Sequence, residues 1–166
     1  MMTRLILPLL LLAPLTACGL HPLYAGGAGG SVAQTLAAVD VSPIQGKSGW
    51  LMANALRDRL AASGTPRYRL DVKLDDSIAG LGVRRDDSVT RERRTLRARY
   101  QLVDLSDGAV MLDATAGSDA GIDVIASSEY ATIAAENTAL ERLSGIVADQ
   151  IVAKLALYAR RRQPAR

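Results

Sequence analysis

Phenylalanine is absent, aromatic residues make up only 4%, and there is a single cysteine, a single histidine and a single tryptophan. A core without Phe must be assembled from Ala, Leu, Val and Ile, which favours small, closely approaching elements. One cysteine excludes an internal disulfide, and one histidine with no Cys or His cluster excludes a structural zinc site. No apolar run is long enough to cross a bilayer; the longest, Leu5 to Leu15, is interrupted by Pro8 and Pro14. A hydrolytic constellation is missing as well. His21 sits three residues from Cys18, and the pairs Asp75-Asp76 and Asp86-Asp87 are adjacent residues that project to opposite faces of an extended chain. No catalytic residue, metal ligand or cofactor motif is therefore assigned.

What is present begins at Leu15-Thr16-Ala17-Cys18. One positive charge, Arg4, precedes the short apolar run, and small residues follow it, which is the grammar of a secretory signal. Leucine, a small residue and cysteine coincide at its end, a pattern similar to the bacterial lipobox. On that pattern the thiol of Cys18 takes a diacylglycerol, cleavage falls before it, and the freed amine is acylated too. Several acyl chains at about 0.8 kcal/mol per buried CH₂ hold a protein on a membrane where one chain would be marginal. The alternative, an ordinary signal cut near Ala17, would leave an odd free thiol in an oxidising compartment.

The formal charge of +3 is misleading, because Arg4 lies in the signal and Arg160, Arg161, Arg162 and Arg166 lie at the far end. Setting those five aside leaves 15 basic against 17 acidic residues, a net of −2 for the body. Nucleic acid is not an expected partner. The chain divides into a signal (1–17), a lipidated N-terminus with a flexible Gly-rich linker (18–36), a single domain (37–159) and a basic tail (160–166).

Within the domain, Ala37 to Ile44 suits a first strand, and Met52, Leu56 and Leu60 mark an amphipathic helix, with Ser48 as N-cap and an end near Gly64. From Tyr68 the period becomes two: Tyr68, Leu70, Val72 and Leu74 share one face, Arg69, Asp71, Lys73 and Asp75 the other. Ile78 to Val83 is interrupted by glycine, and Arg84-Arg85-Asp86-Asp87-Ser88 reads as a polar turn. A second alternation puts Leu96, Ala98, Tyr100 and Leu102 inward, with Thr95, Arg97, Arg99 and Gln101 outward. Ser106-Asp107-Gly108 closes a hairpin into a strand from Ala109 to about Ala116, followed by a Gly-containing link and a short stretch to Ala126. A long helix starts at Ser127 or Ser128, its stripe drawn from Ile133, Leu140, Leu143, Ile146, Val147, Ile151, Leu155 and Tyr158, with Gly145 as a candidate bend. The fold class is α+β: a two-layer sandwich in the order βαβββα, with a mostly antiparallel four-stranded sheet and two helices on one face.

Cys18-Gly19-Leu20-His21-Pro22-Leu23-Tyr24 resembles the Cys-Gly-x-x-Pro-Leu-Tyr opening of alphaproteobacterial LptE lipoproteins. Ser128-Glu129-Tyr130-Ala131, with Ala134, Ala139, Arg142, Ile151 and Leu155, is similar to that family's final helix. The resemblance implies a lipid-anchored protein on the periplasmic face of the outer membrane that sits inside the β-barrel LptD. There it would assist barrel assembly, plug the lumen and aid insertion of lipopolysaccharide. Gly19 in place of Asp agrees with export to the outer membrane. A rival is an envelope lipoprotein that binds lipid or scaffolds an assembly without a barrel.

The remaining dense feature is Arg84, Arg85, Arg91, Arg93, Arg94, Arg97 and Arg99. Arg84, Arg85, Arg91, Arg93, Arg97 and Arg99 are candidates for contact with lipopolysaccharide phosphates, which suit bidentate guanidinium groups, or with the polar wall of a barrel. The plain alternative is a solvated strand face neutralised by Asp71, Asp75, Asp86, Asp87 and Glu92.

Overall fold

The computed structural model describes residues 30–83, 89–125 and 127–162. The signal, the lipobox with Cys18, the Arg84-Arg85-Asp86-Asp87-Ser88 turn and residues 163–166 lie outside the described residues.

The order is α1 (Ser31–Ala37), β1 (Val39–Val41), α2 (Gly46–Leu60), β2 (Tyr68–Val83), β3 (Val89–Asp104), β4 (Val110–Asp123) and α3 (Glu129–Arg161). The strands lie β1-β2-β3-β4 in one sheet. β1 runs parallel to β2, and the other pairs are antiparallel, so the sheet is mixed. A parallel pair needs a crossover, and α2 supplies it.

Among the described residues three helices cover the sheet, one more than the two expected. Ser31–Ala37, assigned from sequence to the linker, forms α1 and buries Val32 and Leu36 against the rest of the core. Glycines up to Gly30 masked this start, because only two apolar residues at i and i+4 commit the helix. β1 is shorter than its apolar pattern suggests. Ser42 N still donates to the Leu70 carbonyl, but Pro43 has no N–H to continue the ladder.

α2 starts at Gly46 with Gln45 as N-cap and no side-chain cap, so Ser48 lies inside the helix. It ends at Leu60, where Ala61 turns left-handed at φ 47°. Met52, Ala53, Leu56 and Leu60 are buried as the spacing predicts, while Trp50 is 64% exposed. Gly49 occupies the crowded face beside it: a Cβ there would come within 2.5 Å of the Ile44 carbonyl oxygen.

The strands run on past the glycines. β2 stays paired through Leu81↔Arg91 to Val83↔Val89, and β4 continues through Gly117 and Gly121 to Asp123. Ladder hydrogen bonds to β3 hold both, outweighing the weak strand propensity of glycine. In the β3–β4 turn only Gly108 has positive φ, 72°. Its N–H donates to the Asp104 carbonyl, a longer turn than a two-residue Asp-Gly hairpin, and a register shift follows at Leu102/Val103.

α3 is one continuous helix of 33 residues, about 50 Å long at 1.5 Å per residue. Ser128 is its N-cap, accepting from Ala131 N at 3.3 Å. Gly145 does not divide it. The glycine lies where Arg59 crosses from α2 to Asp149, and a Cβ there would meet Arg59 Nη2 at an ordinary contact distance of 3.5 Å. Leu140, Leu143, Val147, Ile151 and Leu155 are buried, whereas Ile133 and Ile146 face outward. The helix reaches Arg161, and the guanidinium of Arg162 stacks 5.2 Å over Tyr158, so residues 160–162 finish the helix and are not a free tail.

Tyr100 lies at the centre with Met52, Leu56, Leu70, Leu96, Leu140, Leu143, Val147, Ile151 and Leu155. Burial of each large side chain contributes about 1.5–3 kcal/mol. Among the described residues every helix lies on this side, and none covers the opposite face of the sheet.

Candidate functional site

Strand alternation sorts the basic stretch in two. Even positions of β3, namely Glu92, Arg94, Leu96, Ala98, Tyr100 and Leu102, face the helices; odd positions face out. Arg94 is therefore removed from the arginine row. Its Nε and Nη2 bond Asp76 at 2.8 and 2.7 Å, and Nη1 donates 3.0 Å to the Glu136 carbonyl of α3. Those bonds to Asp76 raise its pKa, and the pair ties the far end of the sheet to α3.

The open face is built from Arg91, Arg93, Thr95, Arg97, Arg99 and Gln101 along the centre, with β2 and β4 on either side. Arg91 Nε is 3.1 Å from Asp123, and Arg93 Nε is 3.7 Å from Asp119. Arg99 grips Asp113 through Nε and Nη2 at 3.2 and 2.9 Å, and Gln101 donates to the same carboxylate at 2.8 Å. Arg99, then Gln101, hold the Asp113 carboxyl below its usual range. On β2, Arg69 grips Asp71, which also accepts from Ser42 Oγ; Arg69 is the main reason the Asp71 pKa is lowered. Arg97 has no ion pair among the described residues. Its Cγ lies 3.3 Å from where a Gly117 Cβ would be, so the missing side chain lets it lie across β4 beside Thr115, Ser118, Asp119 and Gln150.

Arg69, Lys73, Arg91, Arg93, Arg97 and Arg99 are thus met on the same face by Asp40, Asp71, Asp75, Asp113, Asp119 and Asp123. The face is a lattice of opposed charges and not an electropositive patch. Its pairs are solvent-exposed and screened by water, so a partner offering phosphates or carboxylates can exchange with them at small cost.

Of the sequence candidates, Arg91, Arg93, Arg97 and Arg99 come together on this face; Arg84 and Arg85 lie outside the described residues. The neutralising partners differ from those expected: Asp71 pairs with Arg69, Glu92 faces the helices, and the work falls to β4. Asp113, Asp119 and Asp123 share one parity, a signal that Gly117 and Gly121 hide by suggesting a strand end near Ala116. Among the described residues, no group of three or more His, Cys, Asp or Glu could hold a metal ion, and no helix is long and apolar enough to cross a membrane.

A sheet backed by helices on one side, with an open and charge-laced face on the other, defines a two-layer α+β domain. The fold is similar to that of a Caulobacter crescentus lipoprotein, with TM-score 0.69 and 25% identity over 82% of this chain and 100% of that one. It is also similar to rare lipoprotein B of Shewanella oneidensis (TM-score 0.58, 10% identity, 72% and 92% covered). A minor lipoprotein of Acinetobacter baumannii gives TM-score 0.55 at 14% identity, with 76% and 94% covered. No curated protein sequence matches the chain. A family model for lipopolysaccharide assembly, LptE, matches residues 36–155, and the chain belongs to that family. It is a lipopolysaccharide-assembly lipoprotein of the cell envelope.

Proposed function

We propose that the protein is anchored by acylated Cys18 to the periplasmic face of the outer membrane. There it partners an LptD-like β-barrel, assisting its assembly, plugging its lumen and aiding lipopolysaccharide insertion into the outer leaflet. The role is non-catalytic. The observation that supports this reading most is the open sheet face of a chain in the lipopolysaccharide-assembly family: six cations interleaved with six carboxylates on rigid strands. A polar barrel wall is wet and charged, and a surface carrying both signs matches it better than a single-sign patch would. Arg97, without a carboxylate of its own, is the position most open to a phosphate.

Co-purification tests the partnership. Tagged mature protein should bring down a large β-barrel from detergent extracts, and Arg93→Ala with Arg99→Ala should weaken that recovery. Failure to recover any barrel would overturn the reading. Replacing Arg91, Arg93 and Arg97 with Ser should lower lipopolysaccharide affinity in a salt-dependent way; unchanged affinity would remove lipid contact from this face.

A further inference from the structure

One end of the sandwich gathers the chain's entry and its last helical turn. The N–H groups of Arg67 and Tyr68 both donate to the Ala38 carbonyl, Ser63 N donates to that of Ala37, and Leu105 N to that of Arg67. These bonds stitch the end of α1, the α2–β2 connection and the β3–β4 turn into one surface. α3 ends on it, where Arg162 stacks on Tyr158 and Arg67 stacks 5.3 Å over Tyr68. Asp104 is buried there, accepting from Ser106 and lying 4.0 Å from Arg67.

The charge of this end is lopsided, unlike the sheet face. Arg67, Arg160, Arg161 and Arg162 are exposed, against buried Asp104 and the turn residue Asp107. Arg160 and Arg161 have no ion pair among the described residues. At the same end of the sheet, Leu105 in the β3–β4 connection and Val110 at the start of β4 are 47% and 52% exposed, and Leu105 N donates to the Arg67 carbonyl. Basic side chains rimming exposed aliphatic ones are the composition of an interfacial membrane contact.

The position of the anchor selects this end. α1 is about 10 Å long, so Ser31 lies within that distance of Ala37. Residues 18–29 reach at most about 40 Å fully extended. β2 carries the opposite end about 50 Å away. A lipid at Cys18 therefore brings this end to the surface without strain, and the other end only at full stretch.

We infer that the end formed by Arg67, Leu105, Val110 and Arg160–Arg162 docks on an anionic phospholipid surface, the leaflet that holds the lipid on Cys18. The inference uses the acylation of Cys18 proposed above and is independent of a barrel partner.

The test is vesicle flotation with the mature chain, residues 18–166, carrying Cys18→Ser so that no acyl chain contributes. It should float with phosphatidylcholine vesicles containing phosphatidylglycerol, remain unbound with phosphatidylcholine alone, and be released by high salt. Arg160→Gln with Arg161→Gln should weaken partitioning about thirtyfold, at about fivefold per charge, with an unchanged circular dichroism spectrum. Lys47→Gln with Arg142→Gln, two exposed cations far from this end, should leave it unaltered. Absence of flotation, equal flotation of the Arg160/Arg161 variant, or an equal loss in the Lys47/Arg142 variant would each overturn the inference. Labelling of wild type in cells with radioactive palmitate reads the acylation separately: an unlabelled Cys18 would refute the anchor while leaving the vesicle result to stand or fall alone.

Discussion

Arg94→Met removes a guanidinium that spans three elements. The change leaves the Asp76 carboxylate, 18% exposed, facing the helix layer with no cation, and takes a donor from the Glu136 carbonyl. Breaking a fully buried ion pair costs about 3–5 kcal/mol, while an exposed pair is worth about 0–1. With Arg94 at 12% exposure the pair lies nearer the buried limit, and a loss of about 2–3 kcal/mol is expected. For a domain of this size that lowers Tm by about 5–10 °C. The penalty belongs mainly to the stranded carboxylate, so Asp76→Leu together with Arg94→Met should recover most of it. Urea and thermal melts followed by far-UV circular dichroism are the suitable assay, since Trp50 is exposed and its fluorescence reports the core poorly. Arg99→Met, on the open face, should leave Tm within error. A single-variant loss below about 0.5 kcal/mol, or a double variant no better than Arg94→Met alone, would refute the reasoning.

Gly49→Ala should destabilise the protein even though alanine is favoured over glycine in helices by about 1 kcal/mol, because its Cβ meets the Ile44 backbone; a rise in Tm would show that the α2 entry yields easily. Acid should weaken the fold in a defined window. Asp149 has its pKa lowered chiefly by Arg59 and Asp71 by Arg69. Carboxylates depressed in the folded state contribute stability above their unfolded pKa of about 4 and lose it as pH falls through the folded value. Tm should be level from neutral pH to about 5 and drop below about 4, with a shallower drop in Asp149→Asn; a decline centred near pH 6 would point to a different group.

Strand and helix identity were legible because burial writes a period into the chain. Alternation at Tyr68–Leu74 and Leu96–Leu102, and the stripe from Leu140 to Leu155, predict the faces that are buried. Ends were less legible. Gly80, Gly82, Gly117 and Gly121 look like breaks in isolation, yet paired neighbours carry the strands through them. Trp50, Ile133 and Ile146 look like core by type, but the helix layer needs only one face of each helix. Along the arginine row, parity alone separates Arg94 from Arg93 and Arg97, whereas the partners of each arginine come from strands distant in sequence.

By itself the sequence determined the lipobox pattern, the α+β layout and the outward parity of Arg91, Arg93, Arg97 and Arg99. These are local properties, set by residue type and by spacing within a single element. Tertiary structure alone decided which carboxylates answer those arginines, that Arg94 braces sheet to helix, and that Arg160–Arg162 finish α3 beside Arg67 and Leu105. Register between strands and the meeting of chain ends depend on contacts across the whole fold, and no local pattern encodes them.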